Sequence, residues 1–419
     1  MNRKWTIIAV AALALMLAGI AYAVFRLYRP DTPRSVVPAQ VGNSPLSAIP
    51  SDAAALLVLD GSRTARRVAA DSIGLIRPFL CADNASLMPY LDEVSKYPTV
   101  VSLHNSGSLI PLVATAVRQA DSTVLSPLYQ LASQAGLKTT FHGGFLLSSP
   151  SEPLMQASVR HLDDGISILQ SEGLVPLVSG TGGAATLYLC HQHAPKLLQI
   201  YSTAQVRRRS EFVRDIARWS AFDLSAWDDN HLILKGAAAP AESAGSFFDV
   251  FRGYPAAAPH FAEVVPYFTE LAVSLPVGDV GTYVDRYREF LDAKGRLNAY
   301  NKAVTERSGR PMSPLDWARD IQIREVAKAV FQLDGERQEA LLVRTGKDLK
   351  AKGMNSNVYR GALGRIFGEA FAVMDTAYTS AGKNWTVFGS GRVIQAWCDG
   401  DLPMEPLSSR LSDSGITLP

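Results

Sequence analysis

The stretch Trp5–Phe25 holds no charged residue and is bracketed by Arg3 and Lys4 on one side and by Arg26 and Arg29 on the other. At ~1.5 Å per helical residue such a run reaches about 30 Å, the depth of a bilayer's hydrocarbon layer. A helix satisfies its own backbone polar groups, so lipid is a better solvent than water for this segment. Trp5 and Tyr28 fall where interfacial aromatic rings are favoured. The sequence therefore predicts one membrane crossing at 5–25 after a short cytoplasmic start at 1–4, with the lipid bilayer as a partner through Trp5 to Phe25. The alternative is a cleaved export signal using Ala21-Tyr22-Ala23, but the apolar core runs on through Val24 and Phe25. Arginine and lysine nearly balance across the run; the short basic start and the spacer after it place the large domain extracytoplasmically.

The spacer, 26–48, carries Pro30, Pro33, Pro38 and Pro45 among small polar residues, a composition that favours extended chain over a core. The remaining residues suffice for two or three domains, and a net charge of +2 is too small for the dense basic face a nucleic-acid binder needs. Cys81, Cys190 and Cys398 are too few and too scattered for a disulfide framework.

From Ile49 onward the patterns alternate between strand and helix. Ala53–Asp60, Thr99–Leu103, Ile110–Val117 and Phe141–Leu147 read as strands. Thr64–Leu80 and Val124–Ala135 read as helices, and Ser148–Ser151 as a turn capping another. Trp219–Leu224 and His231–Lys235, joined by Asp228-Asp229-Asn230, read as an antiparallel hairpin. Gln205–Arg218 is helical by pattern. Asp279 caps a long helix with Val280, Tyr283, Tyr287, Phe290 and Leu291 on one stripe. The fold class expected is α+β, with mixed, largely antiparallel sheets and packed helices.

Two internal echoes point to a duplicated unit. Asp52–Gly61 resembles Glu325–Gly335, both apolar runs ending in Asp-Gly. Phe145–Ser149 leading to Leu154-Met155-Gln156-Ala157 resembles Trp385–Ser390 leading to Val393-Ile394-Gln395-Ala396. The units are placed at 49–260 and 261–419, the second incomplete because nothing after Gln395 answers Leu187–Cys190 or the Trp219–Lys235 hairpin. A basic-flanked helix, a proline-rich spacer, the Ile-Pro-x-Asp-Ala opening at Ile49, and the Ser149–Ile168 and Trp317–Asp334 stretches resemble a family of membrane-anchored bacterial envelope proteins known only as a domain of unknown function. That resemblance implies a bacterial inner-membrane, periplasm-facing location and an envelope-protein or cell-wall partner. It supplies no catalytic residues.

The chemistry-bearing clusters are weak. Cys190-His191-Gln192-His193 would set two imidazoles on one face if the strand continued, but a metal needs further ligands. His142-Gly143-Gly144-Phe145 resembles an oxyanion loop, yet no G-x-S-x-G accompanies it, which favours a turn. Gly180-Thr181-Gly182-Gly183 lacks the lysine and hydroxyl of a phosphate loop. Arg207, Arg208, Arg209, Arg214 and Arg218 read as a solvated helix face, and the pairs Asp163/Asp164 beside His161 and Asp228/Asp229 read as caps and turns. No catalytic, metal or cofactor residue is assigned. The expected function is a non-enzymatic scaffold or partner-binding protein; the alternatives are a hydrolase using His142 or His191 and His193, and a lipid or small-ligand binder.

Overall fold

The computed structural model describes residues 44–67, 86–117, 122–180, 183–196, 210–228, 231–239, 245–255, 257–347, 352–373, 376–382, 384–402 and 405–413. The fold is α+β with two sheets. The chain divides into two units. One is drawn from the chain up to Tyr201 together with Ser220–Ala237, the other from Ser202–Trp219 together with Ala238–Pro419.

The first sheet contains β1 (Ala55–Leu59), β2 (Thr99–Asn105), β3 (Leu109–Ala116), β4 (Lys138–His142), β5 (Phe145–Ser149), β6 (Ala185–Cys190), β7 (Trp219–Asp228) and β8 (His231–Ala239), in the order β4-β5-β3-β2-β1-β6-β7-β8. Helix α1 (Leu87–Val94) lies between β1 and β2, α2 (Ser122–Gln134) between β3 and β4, and α3 (Glu152–Asp164) after β5; α4 (Leu174–Gly180) precedes β6. Leu57, Leu59, Val101, Val113 and Leu146 of the strands form one core with Tyr90 and Val94 of α1 and Leu128 and Ala132 of α2. The strands are short because their apolar runs are, and α3 starts where Ser151 turns the chain, its hydroxyl accepting from Leu154 N.

In the second unit β9 (Thr269–Pro276) is followed by α5 (Val280–Ala293), α6 (Leu297–Thr305) and α7 (Pro314–Asp320). Next come β10 (Ile323–Leu333), β11 (Glu336–Thr345), β12 (Asn355–Ser356), α8 (Ala362–Phe367), β13 (Tyr378–Gly382), β14 (Trp385–Gly389), α9 (Gly391–Asp399) and α10 (Leu407–Asp413). The sheet order is β12-β13-β14-β11-β10-β9. Val326, Leu341, Val343 and Phe388 pack with Tyr283, Val284, Leu291 and Ile366 on one face, while Ala327, Ala329, Phe331, Leu342 and Val387 pack with Val393 and Ile394 on the other. Burial on both faces is why β10 reads as a near-continuous apolar run instead of alternating.

Following hydrogen-bonded partners across the first sheet gives the row Leu59–Thr99–Thr115–Leu146. The second sheet gives Leu275–Val326–Val343–Thr386. Strands β9, β10, β11, β13 and β14 thus stand in the places of β1, β2, β3, β4 and β5. The Phe145 and Trp385 stretches occupy equivalent places. The Asp52–Gly61 and Glu325–Gly335 likeness compares strands at different places, since β10 stands where β2 stands and β1 is answered by β9. Strand-terminating Asp-Gly reflects a local need for a turn, which recurs wherever a strand ends.

Two expectations are corrected. The inner-membrane, single-pass location does not stand: among the described residues no helix is long and apolar enough to cross a membrane. The 14-residue α5 spans ~21 Å at 1.5 Å per residue and carries Asp285, Arg286, Arg288 and Glu289. Trp5–Phe25 and most of the spacer lie outside the described residues. Second, the described part of the Gln205–Arg218 helix is a 3₁₀ turn, Ser210–Asp215, so the ~100° spacing that grouped Arg214 with Arg218 does not apply; Arg207, Arg208 and Arg209 lie outside the described residues.

Candidate functional site

The histidine clusters on which the hydrolase alternative depends come apart in the fold. Strand β6 ends at Cys190, so His191 and His193 leave the strand and do not share its face. His191 is buried with Nε2 at 2.8 Å from Ser220 Oγ. Among the described residues no group of three or more histidine, cysteine, aspartate or glutamate side chains gathers as a metal site would require. Gly143 and Gly144 have φ of 58° and 84° and form the two-residue turn between β4 and β5, as such hairpins demand. Beside that turn, His142 Nε2 meets Asp163 Oδ1 at 2.6 Å on the surface. His161 Nδ1 binds the Ile166 carbonyl at 2.9 Å, closing the end of α3. Gly183 admits Asp223: a Cβ there would stand 2.5 Å from Asp223 Oδ1, which accepts from Thr186 Oγ1 at 2.7 Å. Thr181, Gly182 and Asp229 lie outside the described residues.

A different serine-histidine-aspartate chain is present that the sequence reading missed. His104 Nδ1 lies 2.9 Å from Asp52 Oδ1, and His104 Nε2 lies 2.9 Å from Ser102 Oγ. The order of contacts is that of a hydrolase triad. Its signal was readable: Ser102 and His104 are two polar residues at alternate positions of β2, hence on one face. Access argues against catalysis, however. Ser102 is wholly buried, and its hydroxyl also lies 3.2 Å from the Leu112 carbonyl within the sheet. The hydrogen bond from His104, followed by the charges of His104 and His193, holds the Asp52 carboxyl below the ordinary range against the opposing effect of burial. This is a polar clamp between the chain entering β1 and strand β2, buried at Ser102 and His104 and exposed at Asp52.

No family model, curated protein or solved structure matches this chain.

The feature that stands out on the surface is the outer edge of the second sheet. Among the described residues β9 pairs within its sheet with β10 alone, whereas β1, which holds the equivalent place, pairs with β2 on one side and β6 on the other. Both partners of β1 run antiparallel to it and span Ala55–Leu59. The register places Leu271–Leu275 of β9 opposite Val326–Val330, where Ala55–Leu59 stands opposite Thr99–Leu103 in the first sheet. Natural edge strands are blunted by lysine, proline or a bulge. In β9 the register shift falls at Glu270 and the proline at Pro276, leaving Leu271–Leu275 between them without such a device. Leu271 is 51% exposed and the neighbouring Phe268 46%. Glu270 is held on the sheet by Gln332 Nε2 at 3.0 Å and by Arg337 at 3.7 Å, so the charge beside the apolar pair is engaged.

Proposed function

We propose that this chain is a non-enzymatic binding protein, built by duplication of one α/β plan, whose second unit takes an extended protein segment as an additional strand on β9. The open counterpart of an occupied edge carries this reading: β6 fills in the first unit the place that no described residue fills beside β9. Duplication is supported by more than strand order. Hairpins β4-β5 and β13-β14 each join two five-residue strands, with every residue paired in the same pattern. Each is followed by a helix that a serine hydroxyl caps and a left-handed glycine ends, Ser151 and Gly165 in α3, Ser390 and Gly400 in α9. The second copy is the shorter, with no strands in the places of β6, β7 and β8 among the described residues.

Strand addition draws affinity from main-chain hydrogen bonds and specificity from side chains at alternate positions. The segment bound here is antiparallel to β9, as β6 is to β1, and apolar where it meets Phe268 and Leu271. A photo-crosslinking residue at Leu271 tests this in cells. A discrete adduct with one protein, lost in a Phe268→Asp/Leu271→Asp chain whose melting temperature is unchanged, is the expected result. No adduct, or one indifferent to those charges, contradicts it.

A further inference from the structure

At the end of β10 nearest its entry, three arginines line a cleft of about 600 Å³: Arg319 from α7, Arg324 from β10 and Arg344 from β11. The volume lies in the range of small-molecule sites. The two carboxylates that also line it are already committed. Glu325 is 1% exposed and accepts from His260 N and Phe261 N at 2.9–3.1 Å and from Ser274 Oγ at 2.7 Å. Asp279 Oδ2 caps α5, accepting from Thr282 N and Oγ1 at 2.7 and 2.8 Å. Arg319 reaches Asp285 only at 3.3 Å on the surface. Among the described residues no carboxylate pairs with Arg324 or Arg344. Acids satisfied by backbone amides and hydroxyls, beside the Arg324 and Arg344 guanidiniums that pair with no carboxylate among the described residues, leave the cleft an excess of positive charge.

The backbone is shaped to present those guanidiniums. Ile323 pairs with Thr345 and Glu325 with Arg344, so Arg324 is the extra residue of a β-bulge, the device by which a strand re-aims a side chain. Its carbonyl accepts from both Val277 N and Gly278 N, at 2.8 and 3.0 Å. Gln322, just before it, is held at a φ of 53°, a conformation that costs a non-glycine residue roughly 1 kcal/mol. A Cβ on Gly346 would stand 2.6 Å from Gln322 Oε1 and 3.0 Å from Arg324 Nε, so Gly346 is the space into which these two side chains fold. A bulge and a residue at positive φ, which follows the C-cap of α7, thus meet beside a glycine that leaves room for the Gln322 and Arg324 side chains.

We infer that this cleft binds a small organic molecule through a dianionic phosphate group, with Arg324 and Arg344 as the principal ligands and Arg319 as a third cation. Guanidinium forks match the oxygens of a phosphate and remain charged at any physiological pH. Three cations at one cleft complement a dianion better than a single carboxylate. Ala257, Ala258, Pro276 and Ile323 supply a wall for the organic part, and the space exceeds what a bare phosphate fills. The cleft adjoins the last residue of β9 through Pro276, but the phosphate site does not rest on the strand-addition reading.

The test is isothermal titration calorimetry of the full chain with phenyl phosphate at pH 7.5, with benzoate and inorganic phosphate as comparators. Phenyl phosphate is expected to bind at least tenfold tighter than benzoate and measurably tighter than inorganic phosphate, and to weaken as salt is raised. Arg324→Ala and Arg344→Ala are each expected to weaken it tenfold or more with the melting temperature preserved. Gln322→Gly, which relieves the backbone without touching the arginines, is expected to weaken it severalfold while leaving the fold intact. Absence of binding, or arginine variants that bind like the parent, overturns the site. Equal binding of benzoate overturns the dianion, and equal binding of inorganic phosphate overturns the organic ligand.

Discussion

Tyr283 and Asp52 show at single-residue scale how burial and pairing set the chemistry of this chain. The Tyr283 ring is fully buried among Phe251, Tyr287 and Phe367, and burial pushes its hydroxyl well above the ordinary tyrosine range. That hydroxyl has no hydrogen-bond partner among the described residues. A buried polar group without a partner costs about 1–3 kcal/mol, so Tyr283→Phe is expected to leave stability unchanged or raise it by about 1 kcal/mol in urea titration; a clear loss would reveal a partner for the hydroxyl. Asp52 makes the opposite case. Its folded-state carboxyl is held low chiefly by the hydrogen bond from His104. Its contribution is therefore complete above the ordinary aspartate value of ~4 and is lost as pH falls through the lower folded value. Thermal melts between pH 6 and pH 2 should show a shallower acid decline for Asp52→Asn than for the parent, and an identical decline would deny the clamp. Neither residue's role was visible in the chain. Tyr283 belongs to the apolar stripe legible in the chain, but the absence of a partner for its hydroxyl depends on the neighbouring rings Phe251, Tyr287 and Phe367. Asp52 sits in a turn about 50 residues before His104, and only the β1-β2 pairing brings them together.

At the scale of elements, local signals were faithful wherever the chemistry was local. Asp279 before the α5 stripe, Ser149-Pro150-Ser151 before α3 and Gly136 after α2 each sit where a side-chain cap or a left-handed residue is needed. The equivalent caps can be compared directly. Ser151→Ala and Ser390→Ala should each cost about 1 kcal/mol in chemical denaturation, as lost N-caps do, and a negligible cost in both would remove the caps as supports of the repeat. Glu325 is the element-scale residue that the sequence misrepresented, for in the chain it is merely the charged start of a strand. In the fold it ties β10 to the 3₁₀ turn Phe261–Glu263 and to Ser274 of β9. Removing it orphans two backbone amides, so Glu325→Ala is expected to lower stability by about 3 kcal/mol, and a loss under 1 kcal/mol would show that the carboxylate is not what holds that turn.

For the whole molecule, the correspondence between the two sheets was legible only in part, and for a physical reason. The β5-α3 and β14-α9 segments share turn chemistry, caps and apolar spacing, all of which are written in consecutive residues. The rest of the correspondence lies in strand order, which is fixed by pairings across the sheet, so composition matches β1 to β10 whereas sheet order matches it to β9. The open edge was equally hidden, because it is a property of what fails to lie beside a strand. The sequence also pointed strongly to a membrane through Trp5–Phe25, and among the described residues no helix supports a crossing. Strand addition rests on the contrast between the occupied edge of β1 and the open edge of β9, and amide hydrogen exchange on the full chain, resolved to individual residues, reads that contrast. Amides of Ala55–Leu59 should exchange slowly throughout, flanked as they are by β2 and β6, while alternate amides of Leu271–Leu275 should exchange orders of magnitude faster. Uniform protection of Leu271–Leu275, matching that of Ala55–Leu59, would mean that the edge is already filled and that β9 takes no added strand.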